Sequence, residues 1–285
     1  MKIAQAYSKG KIDRFEVMEL AETISALNSK GQHISSFDAI ELTEEGHFDI
    51  SQIVSVKKKD VLIYFSMFMA AVSALTNKRL ASIFLNHYLA CQNNTEFYKY
   101  LPRSRRRPFI MACGGLSGSG KSRVAREIAP ELTAPLSAIV IRDDIVRKQL
   151  AGVGFDTILD ESWYTSEKER LVYKEMRRQA KQAILAGYPV VLDALFYSPT
   201  ERQKAEDLAK RMKVPFEGFW MEAPLTLRAN RVKERLNNPS DVKDKSALIK
   251  QQSQDVGDVN WQHIFTSGTR EDTIRKVRSF LKKYI

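Results

Sequence analysis

Cysteine is nearly missing from this chain of 285 residues: only Cys91 and Cys113 occur, far apart and without metal-ligand spacing. That excludes a disulfide framework and suits a reducing compartment. Histidine is scarce too. Its four residues, His33, His47, His87 and His263, pair with nothing that reads as a zinc or nucleophile site. No hydrophobic run is long. The longest, Val61 to Leu75, has fifteen residues, short of the roughly 20 that a membrane span needs, and reads as a buried helix. The opening Met1-Lys2-Ile3-Ala4-Gln5-Ala6 meets charge at once and lacks the pattern of a secretory leader. Internal repeats and low-complexity tracts are absent. These absences lead to the expectation of a cytoplasmic protein with no membrane partner. Acidic residues are also in short supply, 34 against 45 Lys plus Arg, for a net charge of +11. Such an excess favours polyanions such as nucleotides, phosphorylated metabolites or nucleic acid.

What is present is ordinary in bulk, 44% apolar and 28% charged, with length for about two domains. The densest basic cluster, Arg103-Ser104-Arg105-Arg106-Arg107-Pro108, is bracketed by proline and reads as a solvated linker. It divides a mainly helical segment, 1–107, from a segment, 108–285, in which strand-like and helix-like stretches alternate. That alternation predicts an α/β domain, a parallel sheet covered by helices. Strands are expected at Phe109–Cys113, Ser137–Ile141, Pro189–Leu192 and Phe216–Met221. Helices are expected at Thr165–Leu185, Thr200–Met212, Leu225–Leu236, Asp244–Gln254 and Arg270–Tyr284. In the first segment Arg14–Leu27 and Val61–Ala90 read as helical, and Asp38–Leu42 as the end of a strand.

Residues 115–122 read GLSGSGKS, a complete GxxxxGK[ST] phosphate loop between a buried strand and a helix start. Strand, loop and helix N-terminus aim backbone N–H groups and the positive end of a helix dipole at one point. Gly115, Ser117, Gly118, Ser119, Gly120, Lys121 and Ser122 line that point. The glycines let the backbone curl around phosphate, Lys121 reaches the β- and γ-phosphates, and Ser122 holds Mg²⁺. The expected cofactors are therefore ATP and Mg²⁺.

Three further features narrow the chemistry. Arg142-Asp143-Asp144-Ile145-Val146-Arg147 follows the second strand, where ligands gather in a parallel sheet. A carboxylate there can take the proton of an acceptor hydroxyl, and Arg147, one turn on, can hold an acceptor phosphate or orient the acid. A plain helix cap explains either aspartate equally well. Val190-Val191-Leu192-Asp193 ends an apolar strand in an acid placed for Mg²⁺, although a strand-end Asp also begins turns. Arg228, Arg231 and Arg235 fall on one face of the helix after Pro224, either as a lid over bound ATP or as an exposed basic face.

In this order, the phosphate loop, RDDIVRKQL, YTSEKERLVYKEM, VVLDALF and APLTLRANRVKER give the region from about 108 to 267 a resemblance. It resembles the ATP-binding P-loop kinase domain, an AAA-type domain of kinase-like proteins, often fused behind an aminoglycoside-phosphotransferase domain. It is similar to polynucleotide 5′-hydroxyl kinases and, more distantly, to zeta toxins. The resemblance implies Asp144 as general base, with Asp143 as alternate, Arg147 assisting the acceptor, and Arg231 and Arg235 as catalytic lid arginines that also touch the nucleotide. FDAIEL (Phe37 to Leu42), the Val61–Leu75 helix and FLNHYL (Phe84 to Leu89) resemble the carboxyl-terminal part of an aminoglycoside-phosphotransferase-like fold, with Asp38 at its metal-binding aspartate. No nucleotide-binding lobe and no catalytic loop precede them, so this reads as a truncated remnant used for packing, dimerisation or docking. The implied activity is transfer of the γ-phosphate to a hydroxyl of a small molecule or of a nucleic-acid end. An ATPase or ATP-sensing module, and a zeta-like kinase acting on a nucleotide sugar, stay open as alternatives.

Overall fold

The computed structural model describes residues 1–2, 5–6, 12–34, 39–43, 47–56, 77–102, 104, 106–133, 136–234 and 255–285. Val61–Leu75, Asp38, Arg235 and the helix expected at Asp244–Gln254 lie outside the described residues. The chain divides into two compact units: Met1–Arg105 with Thr133–Ala138, and Arg106–Leu132 with Ile139–Ile285. Among the described residues no helix is long and apolar enough to cross a membrane.

In the first unit, helix α1 (Arg14–Ser29) opens on a capping box in which Asp13 accepts from the Glu16 amide and the Glu16 side chain returns to the Asp13 amide. It packs against α2 (Lys78–Gln92), whose apolar face is Leu80, Phe84, Leu85, Tyr88 and Leu89. Buried polar groups tie the pair: Asn28 Nδ2 donates to the Tyr88 hydroxyl at 2.7 Å, and Gln92 Nε2 donates to the Ser25 carbonyl at 3.1 Å. Two small antiparallel sheets accompany the helices. One pairs β1 (Gln32–Ile34) with β4 (Ile53–Ser55), and the other β2 (Ile40–Leu42) with β3 (Phe48–Ile50). Three-residue strands carry too little alternation to be read as hairpins.

One group of potential ligand atoms was not expected from the sequence. His87 and Cys91, one turn apart on α2, face Glu22 of α1, and the three ligand atoms lie within 4.8 Å of one another. Linear spacing hid this group because its third member comes from the other helix.

The second unit is built on five parallel strands in the order β6-β7-β5-β8-β9. These are β5 (Ile110–Gly114), β6 (Ile139–Arg142), β7 (Val190–Asp193), β8 (Phe216–Glu222) and β9 (Gln262–Phe265). β5 and β7 are buried along their whole length, as near-continuous apolar runs covered on both faces must be. The helices are α3 (Lys121–Ile128), α4 (Asp143–Ala151), α5 (Ser166–Leu185), α6 (Pro199–Met212), α7 (Leu225–Lys233) and α8 (Arg270–Leu281). Local chemistry sets their ends. Thr165 caps α5 through the Lys168 amide, Pro199 opens α6 and Thr269 caps α8 through the Asp272 amide. β9 was not expected from the sequence. It is an edge strand with one buried residue, Ile264, so it lacks the apolar run that marked the other four.

The register decides what stands beside what. Cys113 and Arg142 both pair with Asp193. The ends of β5, β7 and β6 therefore lie in a row, with the Asp193 carboxylate in the middle and the phosphate loop leaving from one side.

Candidate active site

The phosphate loop turns out of β5 and ends on Gly120, the N-cap of α3, in a left-handed conformation (φ 100°) with no side chain capping the helix. No acid occupies the first turn of α3, which leaves the positive end of an eight-residue helix open to an anion. Gly118, at φ 81°, is needed for a reason beyond its torsion. A Cβ there would lie 2.5 Å from the Arg228 carbonyl oxygen and 2.8 Å from its Cα. The loop glycine is thus demanded by the backbone of α7 pressed against it, and not only by room for phosphate.

The arginine helix lies against the phosphate loop. Arg228 is 2% exposed and its Nε donates to the Ser117 carbonyl at 2.8 Å. Arg231 donates from Nη1 to the Thr266 hydroxyl (2.9 Å) and to the Gly118 carbonyl (3.3 Å), and from Nη2 to the Thr266 carbonyl (2.5 Å). The Thr266 hydroxyl in turn donates to the Ser119 carbonyl at 2.6 Å. Both guanidinium groups hold loop backbone. Arg235 lies outside the described residues.

Opposite the loop stand the carboxylates. Asp193 is 1% exposed at the end of β7, and its Oδ1 is buried without a hydrogen-bond partner among the described residues. Burial raises its pKa; Lys121, Arg142 and the Ser122 hydroxyl pull the other way. Asp143 opens α4 and accepts the Leu195 amide at 3.2 Å. Burial first, then Asp144, pushes its pKa up to about 6 against Lys121. Asp144 is partly exposed and bound by Arg142, whose Nη2 donates to its Oδ2 at 2.6 Å. Arg142 Nε lies 3.5 Å from Asp193 Oδ2, so one guanidinium spans two of the three acids.

Of the two tasks expected of Arg147, orientation of Asp144 is performed by Arg142 instead. Arg147 is 6% exposed, donates from Nη1 to the Trp163 carbonyl at 2.7 Å and sits over the Tyr164 ring at 4.8 Å. Close by in charge, Glu169 is raised by burial and accepts the Tyr197 hydroxyl. Sequence reading missed Arg142 and Thr266. The first stood in plain view beside the aspartates, and its β-strand register supplies the missing reason. The second follows the edge strand that itself went unread.

The structure therefore brings together Lys121, Ser122, Asp143, Asp144, Asp193 and Arg142 at the carboxyl ends of adjacent parallel strands, where α/β sheets place ligands. The sequence pattern of the AAA domain family matches residues 110–255. An uncharacterized protein of Mycobacterium tuberculosis (strain ATCC 25618 / H37Rv) is 32% identical over 168 residues, 56% of this chain and 32% of the relative, so the match spans about a third of that longer protein. An adenylyl-sulfate kinase of Myxococcus xanthus is 28% identical over 118 residues, 41% of this chain and 59% of the kinase. Among solved structures, a gluconokinase of Sinorhizobium meliloti aligns with 63% of this chain and 94% of its own at 18% identity and a TM-score of 0.44.

Proposed function

The chain belongs to the AAA domain family, and from that premise we propose that it is an ATP-dependent kinase that passes the γ-phosphate to a hydroxyl of a small molecule. The observation that carries this reading is the meeting of an uncapped, glycine-started helix with Lys121 and three carboxylates at the carboxyl ends of adjacent strands. The relative that is an adenylyl-sulfate kinase supports a small acceptor over a nucleic-acid end.

Phosphoryl transfer asks a protein for positioning and for charge where negative charge develops. The loop amides that lead into the uncapped start of α3 and the Lys121 ammonium bind the triphosphate. Arg228, Arg231 and Thr266 keep those amides aimed, by holding the carbonyls of Ser117, Gly118 and Ser119 outward. The donor set also fits a hard divalent cation, because Asp193 offers a buried carboxylate oxygen with no other partner and Ser122 lies against the same side chain. Ser122 and Asp193 would hold magnesium, which when bound neutralises charge on the phosphate oxygens.

Asp144 takes the proton from the acceptor hydroxyl. Asp143 is occupied instead by the Leu195 and Asp144 amides. Arg142 holds the Asp144 carboxylate in place. Arg147, buried among carbonyl and ring contacts, fixes the Trp163–Tyr164 turn beside it and presents positive charge to an anionic acceptor.

The test is incubation with γ-labelled ATP and pools of sugars, nucleosides, aminoglycosides, sulfonucleotides and 5′-hydroxyl oligonucleotides. A labelled small molecule is the expected result. Label confined to oligonucleotides would move the acceptor to a strand end, and phosphate release alone in every pool would leave an ATPase module.

A further inference from the structure

The first unit holds a group of side chains that phosphoryl transfer does not use. Glu22 projects from α1, and His87 and Cys91 project from α2 one turn apart, on one helix face. His87 Nε2 and Glu22 Oε1 are 2.6 Å apart, and all three ligand atoms fall within 4.8 Å of one another. We propose that Glu22, His87 and Cys91 form a binding site for a zinc-class divalent cation that bridges the two helices.

Four observations support this. The donors are a thiol, an imidazole and a carboxylate, the set that tetrahedral zinc takes, with a fourth position left for water. Zinc bonds of about 2.0–2.3 Å put neighbouring ligand atoms roughly 3.3–3.6 Å apart, so closure requires only side-chain adjustment from the present spacing. The helix spacing is already set on the same side of the interface by the Asn28–Tyr88 bond and by Gln92 donating to Ser25 O and Oγ. Glu22 is half-exposed while His87 is 10% exposed at its side chain, which gives an ion a way in from solvent and a largely dry seat.

The alternative for the same residues is a thiol nucleophile activated by histidine. Burial and Glu22 push the Cys91 thiol up to about 12, the wrong direction for a nucleophile. A bound cation removes that obstacle, since a coordinating thiol is deprotonated outright. On binding, the Cys91 proton leaves to solvent, the His87 proton shared with Glu22 passes from Nε2 to Nδ1 by tautomer exchange through solvent, and Nε2 offers its lone pair to the cation. The site stands independently of the kinase reading.

Cobalt(II) tests it on the full chain with magnesium present to occupy the phosphate-loop side. Only a cysteine ligand gives a thiolate-to-cobalt charge-transfer band in the near ultraviolet. The band is expected with the wild type, is lost in Cys91→Ser and in His87→Gln, persists in Cys113→Ala, and is displaced by zinc. A second measurement needs no variant: zinc should block alkylation of Cys91, read by peptide mass. Absence of the band in wild type, its survival in Cys91→Ser, or alkylation unchanged by zinc would each overturn the assignment.

Discussion

Asp143 and Asp144 are adjacent in sequence and yet differently employed. Asp144 is in the grip of Arg142, and Asp143 accepts the Leu195 amide under pressure from burial and from its neighbour. Replacement of Asp144 by Asn keeps the size and removes the base. Turnover should fall about 10²–10⁴-fold, while calorimetry finds ATP binding intact; normal turnover would transfer the role to Asp143. Asp143 makes its own prediction through stability. Its folded pKa of about 6 exceeds the unfolded value near 4, so the native form holds a proton that the unfolded chain has released. Stability therefore declines as pH rises through the window from about 4 to 6, and the full cost is present above it. Asp143→Asn removes that cost. Thermal denaturation in EDTA should find the variant more stable than wild type at pH 7 and equal to it near pH 4; parallel curves across the window would contradict the shift.

The phosphate loop and α7 are one mechanical element. Thr266→Val leaves the Ser119 carbonyl without its hydroxyl donor and Arg231 Nη1 with only the longer bond to the Gly118 carbonyl, a loss of about 1–3 kcal/mol for buried polar groups. Because the bond orders the loop and touches no acceptor, KM for ATP should rise several-fold with kcat nearly kept. A fall in kcat alone would place Thr266 in the chemistry instead. Gly118→Ala meets both a left-handed torsion and the Arg228 backbone, and should lower Tm and nucleotide affinity together; thermal shift with and without ATP reads both.

Most of these elements were legible beforehand. Glycine spacing, helical periodicity and apolar strand runs are local signals, and they marked the loop, α5 through α8 and the strands of the second unit except β9, while β1, β3 and β4 were too short to read. Exposed β9 gave no apolar run. The roles of Arg142, Arg228 and Thr266 depend on register and on contacts between residues as far apart as 119 and 266, which no window along the chain contains. The arginine spacing on α7 was visible, but which way that face pointed was not.

At the scale of the whole molecule, the units differ in how they can be watched. All three tryptophans, Trp163, Trp220 and Trp261, belong to the second unit. Tryptophan fluorescence thus reports the phosphate-loop unit alone. ATP with magnesium at about 100 times Kd should stabilise that unit by ~2.7 kcal/mol, and the fluorescence melting point should rise by several degrees. An unchanged melting point with ATP and magnesium would contradict nucleotide binding at the loop.

The close approach of Gly118 to Arg228 limits what protein engineers can exchange. A nucleotide-binding turn borrowed from another enzyme would arrive without the partner helix that shapes it, and its carbonyls would find no guanidinium waiting. Successful grafts into this scaffold should be those that transplant the turn and residues 224–234 as a pair.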